Sequence, residues 1–126
     1  MNVVVAANRK VPVEAIATHL TKQLAALPME STVTLRRAAR KRTQPFERLA
    51  SEVAESLGIE VAWEEPQGSG RQATWQRDWR MIHAADKVLL YLHDGYPDGG
   101  TEHVLACALA DERSSSPSGR RALLFE

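Results

Sequence analysis

A single cysteine, Cys107, stands in the whole chain, which excludes an intramolecular disulfide framework and any zinc site built from several thiolates. Neither sign of charge is in excess. Sixteen Lys and Arg residues balance sixteen Asp and Glu, so there is no global field to hold a polyanion or an anionic membrane. Neither a nucleic acid nor a membrane is therefore an expected partner. Long apolar runs are missing too: the run Val3 to Ala7 is far too short for a signal-peptide core, and no run approaches the roughly eighteen residues of a membrane span. Internal repeats and low-complexity tracts are absent. Together these absences point to a reducing cytosol.

What remains is an ordinary globular composition of 126 residues, 44% hydrophobic and 25% charged. That is one domain covering 1–126, long enough to bury roughly two-thirds of its unfolded surface. Short β-branched runs alternate with amphipathic segments. Val3, Val4 and Val5 form a first strand that ends at Ala6-Ala7-Asn8-Arg9-Lys10, and Pro12 suits a helix start. Val13, Ile16, Ala17, Leu20, Leu24 and Leu27 keep three- and four-residue spacing until Pro28. Thr32 to Leu35 is a second strand, and Pro45 opens a second helix with Phe46, Leu49, Val53 and Leu57 inward and Gly58 as its C-terminal cap. Ile59, Val61 and Trp63 alternate as a third strand. A third helix begins near Ala73 with Trp75, Trp79 and Ile82 as its buried stripe. Lys87 to Leu92 is so apolar that both faces are covered and a central position follows. A fourth helix with Val104, Leu105, Ala108 and Leu109 inward leads to a last strand, Arg121 to Phe125.

Five strands separated by four helices predict an α/β fold, a Rossmann-like three-layer sandwich with a five-stranded parallel sheet, because parallel neighbours need crossovers. Ligands of such sheets bind outside the carboxyl ends of the strands, so the loops after strands one, two and four are where chemistry is expected. The loop Gly95-Tyr96-Pro97-Asp98-Gly99-Gly100-Thr101-Glu102-His103 has the parts of an anion cradle. Gly99 and Gly100 allow backbone amides to approach a phosphate, Thr101 offers a hydroxyl, and the next helix presents its amino terminus. The same residues also suit a plain tight turn with Thr101 as N-cap. Arg36, Arg37, Arg40, Lys41 and Arg42 place five positive charges within seven residues, which suits a solvated loop, phosphates or, third, a single-stranded nucleic-acid backbone.

The four histidines, His19, His83, His93 and His103, include no i, i+4 pair, so no metal site and no cofactor is expected. His93 and His103 flank the glycine loop and are placed for ligand contact or proton transfer; His19 and His83 read as surface or packing residues. Cys107 reads as a small buried hydrophobe. Trp63, Trp75 and Trp79 suit a base-stacking face or core packing, and with Trp75 and Trp79 four apart on one helix core packing is the expected role.

The segment Arg77-Asp78-Trp79-Arg80-Met81, followed by Ala85-Asp86, a strand and Pro97-Asp98-Gly99-Gly100-Thr101, resembles the SLOG superfamily, in its YspA-like, cpYpsA-related branch. Members carry an Arg-Asn-x-x-Met helix start, an Ala-Asp step into a strand and a Pro-Gly-Gly-x-Gly-Thr turn. Asn8-Arg9 looks like the family's turn after strand one, and Phe46-Glu47-Arg48-Leu49-Ala50 like its second helix. The family's Gly-Gly-Ala-x-Gly-x-Asp loop is here Arg36 to Arg42, without glycine, so side chains would replace backbone amides.

The resemblance implies binding or sensing of a nucleotide or nucleotide derivative. Its phosphate end would lie over Gly99, Gly100 and Thr101, with Asn8, Arg9, Arg36 and Arg37 assisting and Arg77 and Asp78 as a facing wall. It also implies a homo-oligomer, with Trp75, Trp79 and Met81 of the third helix as the candidate surface. The alternative is an enzyme that cleaves or transfers an N-glycosidic bond, as in the distantly similar Lonely Guy phosphoribohydrolases and nucleoside 2-deoxyribosyltransferases. Asp98 or Glu102 would then be the catalytic carboxylate, because the position of the Lonely Guy glutamate is Val104. A second alternative is an interaction scaffold with a degenerate site.

Overall fold

The computed structural model describes residues 1–7, 12–37, 44–68, 70–91 and 121–125, the last as backbone. Its strands are β1 (Asn2–Ala7), β2 (Thr32–Arg36), β3 (Glu60–Glu64), β4 (Lys87–Tyr91) and β5 (Arg121–Phe125), and its helices α1 (Val13–Ala25), α2 (Pro45–Ser56) and α3 (Gly70–His83). β1 to β4 form a parallel sheet in the order β3-β2-β1-β4. Beyond it the backbone of β5 runs parallel to β4, with Lys87 opposite Arg121 and Tyr91 opposite Phe125.

Side chains alternate across a strand, and β1 shows the consequence directly. Val3, Val5 and Ala7 join one buried cluster with Ile16, Leu20 and Leu24 of α1 and Phe46, Ala50 and Ala54 of α2. Val4 and Ala6 join another with Met81 and Ile82 of α3, Ala85, and Val88 and Leu90 of β4. α1 and α2 therefore cover one face, and α3 covers the other. β1, flanked by β2 and β4, has five consecutive buried residues from Val3 to Ala7, which is why it reads as one unbroken apolar run.

The proline starts act as expected. Pro12 caps α1 and Pro45 opens α2 at its first position, where no amide hydrogen is missed. Gly58 adopts φ +72° just after α2, a left-handed turn that costs a residue with a Cβ more than glycine.

Two helices depart in part from their expected faces. In α2 Phe46, Leu49 and Val53 pack against the core as expected, but Glu47, Ala50 and Ala54 are buried with Phe46, while Leu57 at the helix end is 39% exposed. In α3, which starts at Gly70, the buried residues are Ala73, Arg77, Asp78, Met81 and Ile82. Trp75 and Trp79, expected both in the buried stripe and on a candidate oligomer surface, are 46% and 44% exposed, whereas Met81, expected on that same surface, is 3% exposed. The cause is a buried ion pair that takes the centre of the inward face and turns the indoles outward.

Candidate functional site

From β1 the chain steps outward through β2 to β3, and α3 then returns it to the other side of β1. β1 and β4 are thus the neighbours at which the direction of winding reverses, and the crevice of a parallel sheet opens at the carboxyl ends of such a pair. The described residues at that edge include Ala7, Arg36, Arg37 and Tyr91, with the first turn of α2 beside them.

Arg36 and Arg37 follow one another at the end of β2 and diverge, as successive residues of an extended chain must. Arg36 reaches toward β1, with Nη2 3.5 Å from the Ala7 carbonyl. Arg37 turns toward β3, where its guanidinium carbon lies 4.2 Å from the centre of the Trp63 ring. Its Nη1 is 3.6 Å from Glu65 Oε1, and its backbone amide donates to the Glu64 carbonyl at 2.9 Å. Among the described residues, Arg37 Nε is buried without a hydrogen-bond partner.

Behind this edge α3 carries the pair Arg77 and Asp78, 5% and 0% exposed. Nε and Nη2 of Arg77 donate to Asp78 Oδ1 at 3.1 and 2.8 Å, and Nη1 donates to the Arg37 carbonyl at 3.2 Å. Each nitrogen of the fork has an acceptor. Arg77 therefore ties α3 to the residue at which β2 leaves the sheet, holding the backbone that presents Arg36 and Arg37. Arg80 adds an outer link, from Nη2 to the Glu65 carbonyl at 3.3 Å and to Glu64 at 3.9 Å.

Glu47, in the first turn of α2, is 5% exposed. Burial pushes its carboxyl above the ordinary glutamate value, opposed by the Arg36 guanidinium, a hydrogen bond from its own backbone amide, and Arg77. When Glu47 holds a proton, the set Arg36, Arg37, Arg77, Asp78, Glu65 carries net positive charge beside the ends of β1 and β2. An anion arriving there would favour that protonated form further.

On the face of α1 and α2, Tyr91 closes β4. Its hydroxyl lies 2.8 Å from His19 Nδ1, its ring meets His19 edge-on at 5.7 Å and Phe46 at 5.9 Å, and burial pushes its pKa up to about 12. His19 thus has a packing role. A groove of about 300 Å³ between α1 and α2 is lined by Val13, Ala17, Pro45, Arg48, Leu49 and Glu52, beside the site but not including its arginines.

Of the residues singled out from sequence, the structure brings together Arg36, Arg37, Arg77 and Asp78. Asn8, Arg9, Asp98, Gly99, Gly100, Thr101 and Glu102 lie outside the described residues, as do His93, His103, Cys107 and the fourth helix. Glu47 was missed as a site residue. Its signal was its place at i, i+3 and i+7 with Ala50 and Ala54, a stripe of small residues that carries little weight when large apolar side chains define the face. Among the described residues no group of three or more His, Cys, Asp or Glu is placed to hold a metal ion, and no helix is long and apolar enough to cross a membrane.

No family model matches the chain, and neither the curated proteins nor the solved structures contain a match to it.

Proposed function

We propose that the chain binds a nucleotide or nucleotide derivative across the carboxyl edge of its sheet, in the manner of the SLOG proteins it resembles. The supporting observation is the position of Arg36. Its guanidinium bridges the ends of β2 and β1 beside the reversal in winding, where a phosphate in such folds is met. In this reading the anion lies between Arg36 and the loop carrying Gly99, Gly100 and Thr101, with Asn8 and Arg9 as the neighbouring turn. The fold it requires is the complete three-layer sandwich with a fifth strand.

The arginines compensate for the glycines absent between Arg36 and Arg42. Backbone amides need close approach, whereas a guanidinium delivers two parallel hydrogen bonds from a distance. Arg37 is engaged by Trp63 and Glu65. Arg77 and Asp78 act as the support behind the wall and not as its surface.

Calorimetric titration of adenosine, AMP, ADP and ATP into the full chain tests the reading. Affinity should rise on going from the nucleoside to its phosphates; equal affinity for adenosine and AMP contradicts it. With Val104 in place of the glutamate of related hydrolases, release of free base from nucleoside monophosphates should stay well below about one turnover per second, the low end of ordinary enzyme rates.

A further inference from the structure

Opposite the edge that carries Arg36, at the amino ends of the strands, two connections run side by side. One joins α1 to β2 and the other joins α2 to β3, and they are neighbours because Thr32 pairs with Glu60. Both are held by their own hydrogen bonds. In the first, Ser31 Oγ donates to the Pro28 carbonyl at 2.6 Å, across Glu30, whose φ of +66° is left-handed. In the second, the Gly58 amide donates to the Glu55 carbonyl at 3.0 Å and the Ile59 amide to the Ala54 carbonyl at 2.8 Å, the closure of a Schellman turn. Between these two turns lies a cavity of about 530 Å³. That volume falls within the range of small-molecule sites.

The walls of the cavity are apolar and its charges are of one sign. Leu27 and Ile59 pack against the core cluster, while Leu57 and Met29 are 39% and 93% exposed. Glu30 and Glu60 also line the cavity, and no Lys, Arg or His among the described residues does so. Neither carboxylate has an ion-pair or hydrogen-bond partner among the described residues. The backbone adds to the same sign. α1 ends at Ala25 and α2 is capped by Leu57, both on the cavity wall, and the carboxyl end of a helix carries partial negative charge. α2 has no basic residue in its last turn to offset it. An anion is repelled from such a place, a neutral apolar molecule uses only the walls, and a metal ion uses only the carboxylates. An ammonium group on an apolar body uses both.

We propose that this cavity binds a small organic amine in its protonated form, with the ammonium directed to Glu30 and Glu60 and the hydrocarbon body against Leu27, Leu57 and Ile59. Burial of the body supplies the larger part of the affinity, since carboxylates open to water contribute modestly to an ion pair. The negative surroundings decide which head group is accepted. Both turns are closed before a ligand arrives, which lowers the ordering cost of binding. The cavity lies at the other end of the sheet from Arg36, and the proposal stands or falls independently of the nucleotide reading.

The test is calorimetric titration of the full chain at neutral pH with octylamine, octanol and octanoate, which share one hydrocarbon and differ in charge. Octylamine should bind about tenfold more tightly than octanoate, because attraction is exchanged for repulsion at two carboxylates. Octanol should fall between them. Glu30→Gln and Glu60→Gln, both at exposed positions, should each weaken octylamine about threefold, within the range of an exposed ion pair, and leave octanol unchanged. Leu57→Asn should weaken octylamine and octanol alike, about threefold for the apolar contact removed, while the two glutamine variants keep the test valid if it folds poorly. Arg36→Gln should alter none of these affinities. Four results would overturn the proposal: no octylamine binding, equal affinity for octylamine and octanoate, octylamine affinity unaltered when Glu30→Gln and Glu60→Gln are combined, or a dimer closed over the cavity that takes up no octylamine. Tighter binding of pentalysine than of octylamine would also contradict it, since the apolar body would then be dispensable.

Discussion

The two faces of the sheet are covered in different ways. On one, α1 lays down Ile16, Leu20 and Leu24 in a stripe with no charged member, and α2 completes the layer with Phe46, Ala50 and Ala54, flanked by Leu49 and Val53. On the other, α3 gives the middle of its inward face to Arg77 and Asp78 and leaves Trp75 and Trp79 almost half exposed. The first arrangement rests mainly on apolar area removed from water, with Glu47 of α2 as its buried carboxyl group. The second needs an ion pair in which each nitrogen of the fork meets an acceptor, because a buried charge without a partner is costly. The lesson is that the face of α3 is arranged to hold the end of β2 in place and contributes less apolar area than the face of α1 and α2.

The largest expected effect follows from breaking that pair. Asp78→Ala leaves the Arg77 guanidinium buried without its acceptor, which should cost about 3 to 5 kcal/mol in denaturant-induced unfolding. Leu20→Ala, the matching loss on the apolar face, should cost about 2 to 5 kcal/mol. What separates the faces is repair. Arg77→Met combined with Asp78→Leu should recover most of the stability lost in Asp78→Ala while loosening the exit of β2. If the double variant is no more stable than Asp78→Ala, the pair holds more of the fold than the account allows.

Glu47 is the one charged residue on the inward stripe of α2, and its prediction is one of slope. Its folded pKa is raised above 4.5, so between the unfolded value and the folded one the native state binds more protons. Stability therefore falls as pH rises through that window, and the contribution is fully present only below it. Glu47→Gln should gain stability relative to the parent as pH increases from about 4.5. Urea midpoints measured at a series of pH values check the sign, and a difference that is flat with pH refutes it.

A smaller change comes from Tyr91→Phe, which removes the hydroxyl bonded to His19. Because His19 is half-buried and water can replace the partner, the loss should be about 1 kcal/mol. The same variant should lessen the decline in stability above pH 10. Unfolded tyrosine releases its proton near pH 10, while Tyr91 keeps its own to about 12, so the native state is disfavoured as pH climbs between them.

These contrasts also mark how far the sequence was legible. β1, α1 and β2 follow from periodicity and proline placement because their buried positions hold nothing but apolar or small residues. α3 does not. Trp75, Trp79 and Ile82 imitate an apolar stripe, whereas the true one includes Arg77 and Asp78, and nothing in the order of residues shows that an arginine will fold back onto its own neighbour. Glu47 was hidden for a related reason, since a carboxylate among alanines resembles a helix edge until burial is seen. Arg36 and Arg37 were readable as a basic pair at a strand end. Their divergence was not, because it depends on Ala7 and Trp63, far off in sequence and adjacent in the sheet.

That divergence makes Arg36 the residue on which the proposed site turns. The most direct measurement is calorimetric titration of AMP into the parent chain and into Arg36→Gln, which keeps much of the side-chain length and removes the charge. Loss of a charge-assisted contact to phosphate should weaken AMP binding at least about tenfold, consistent with the ~1.5 to 3 kcal/mol of hydrogen bonds to charged groups, while adenosine affinity stays within twofold. Equal AMP affinity in the two proteins would contradict the account and take the phosphate away from the end of β2.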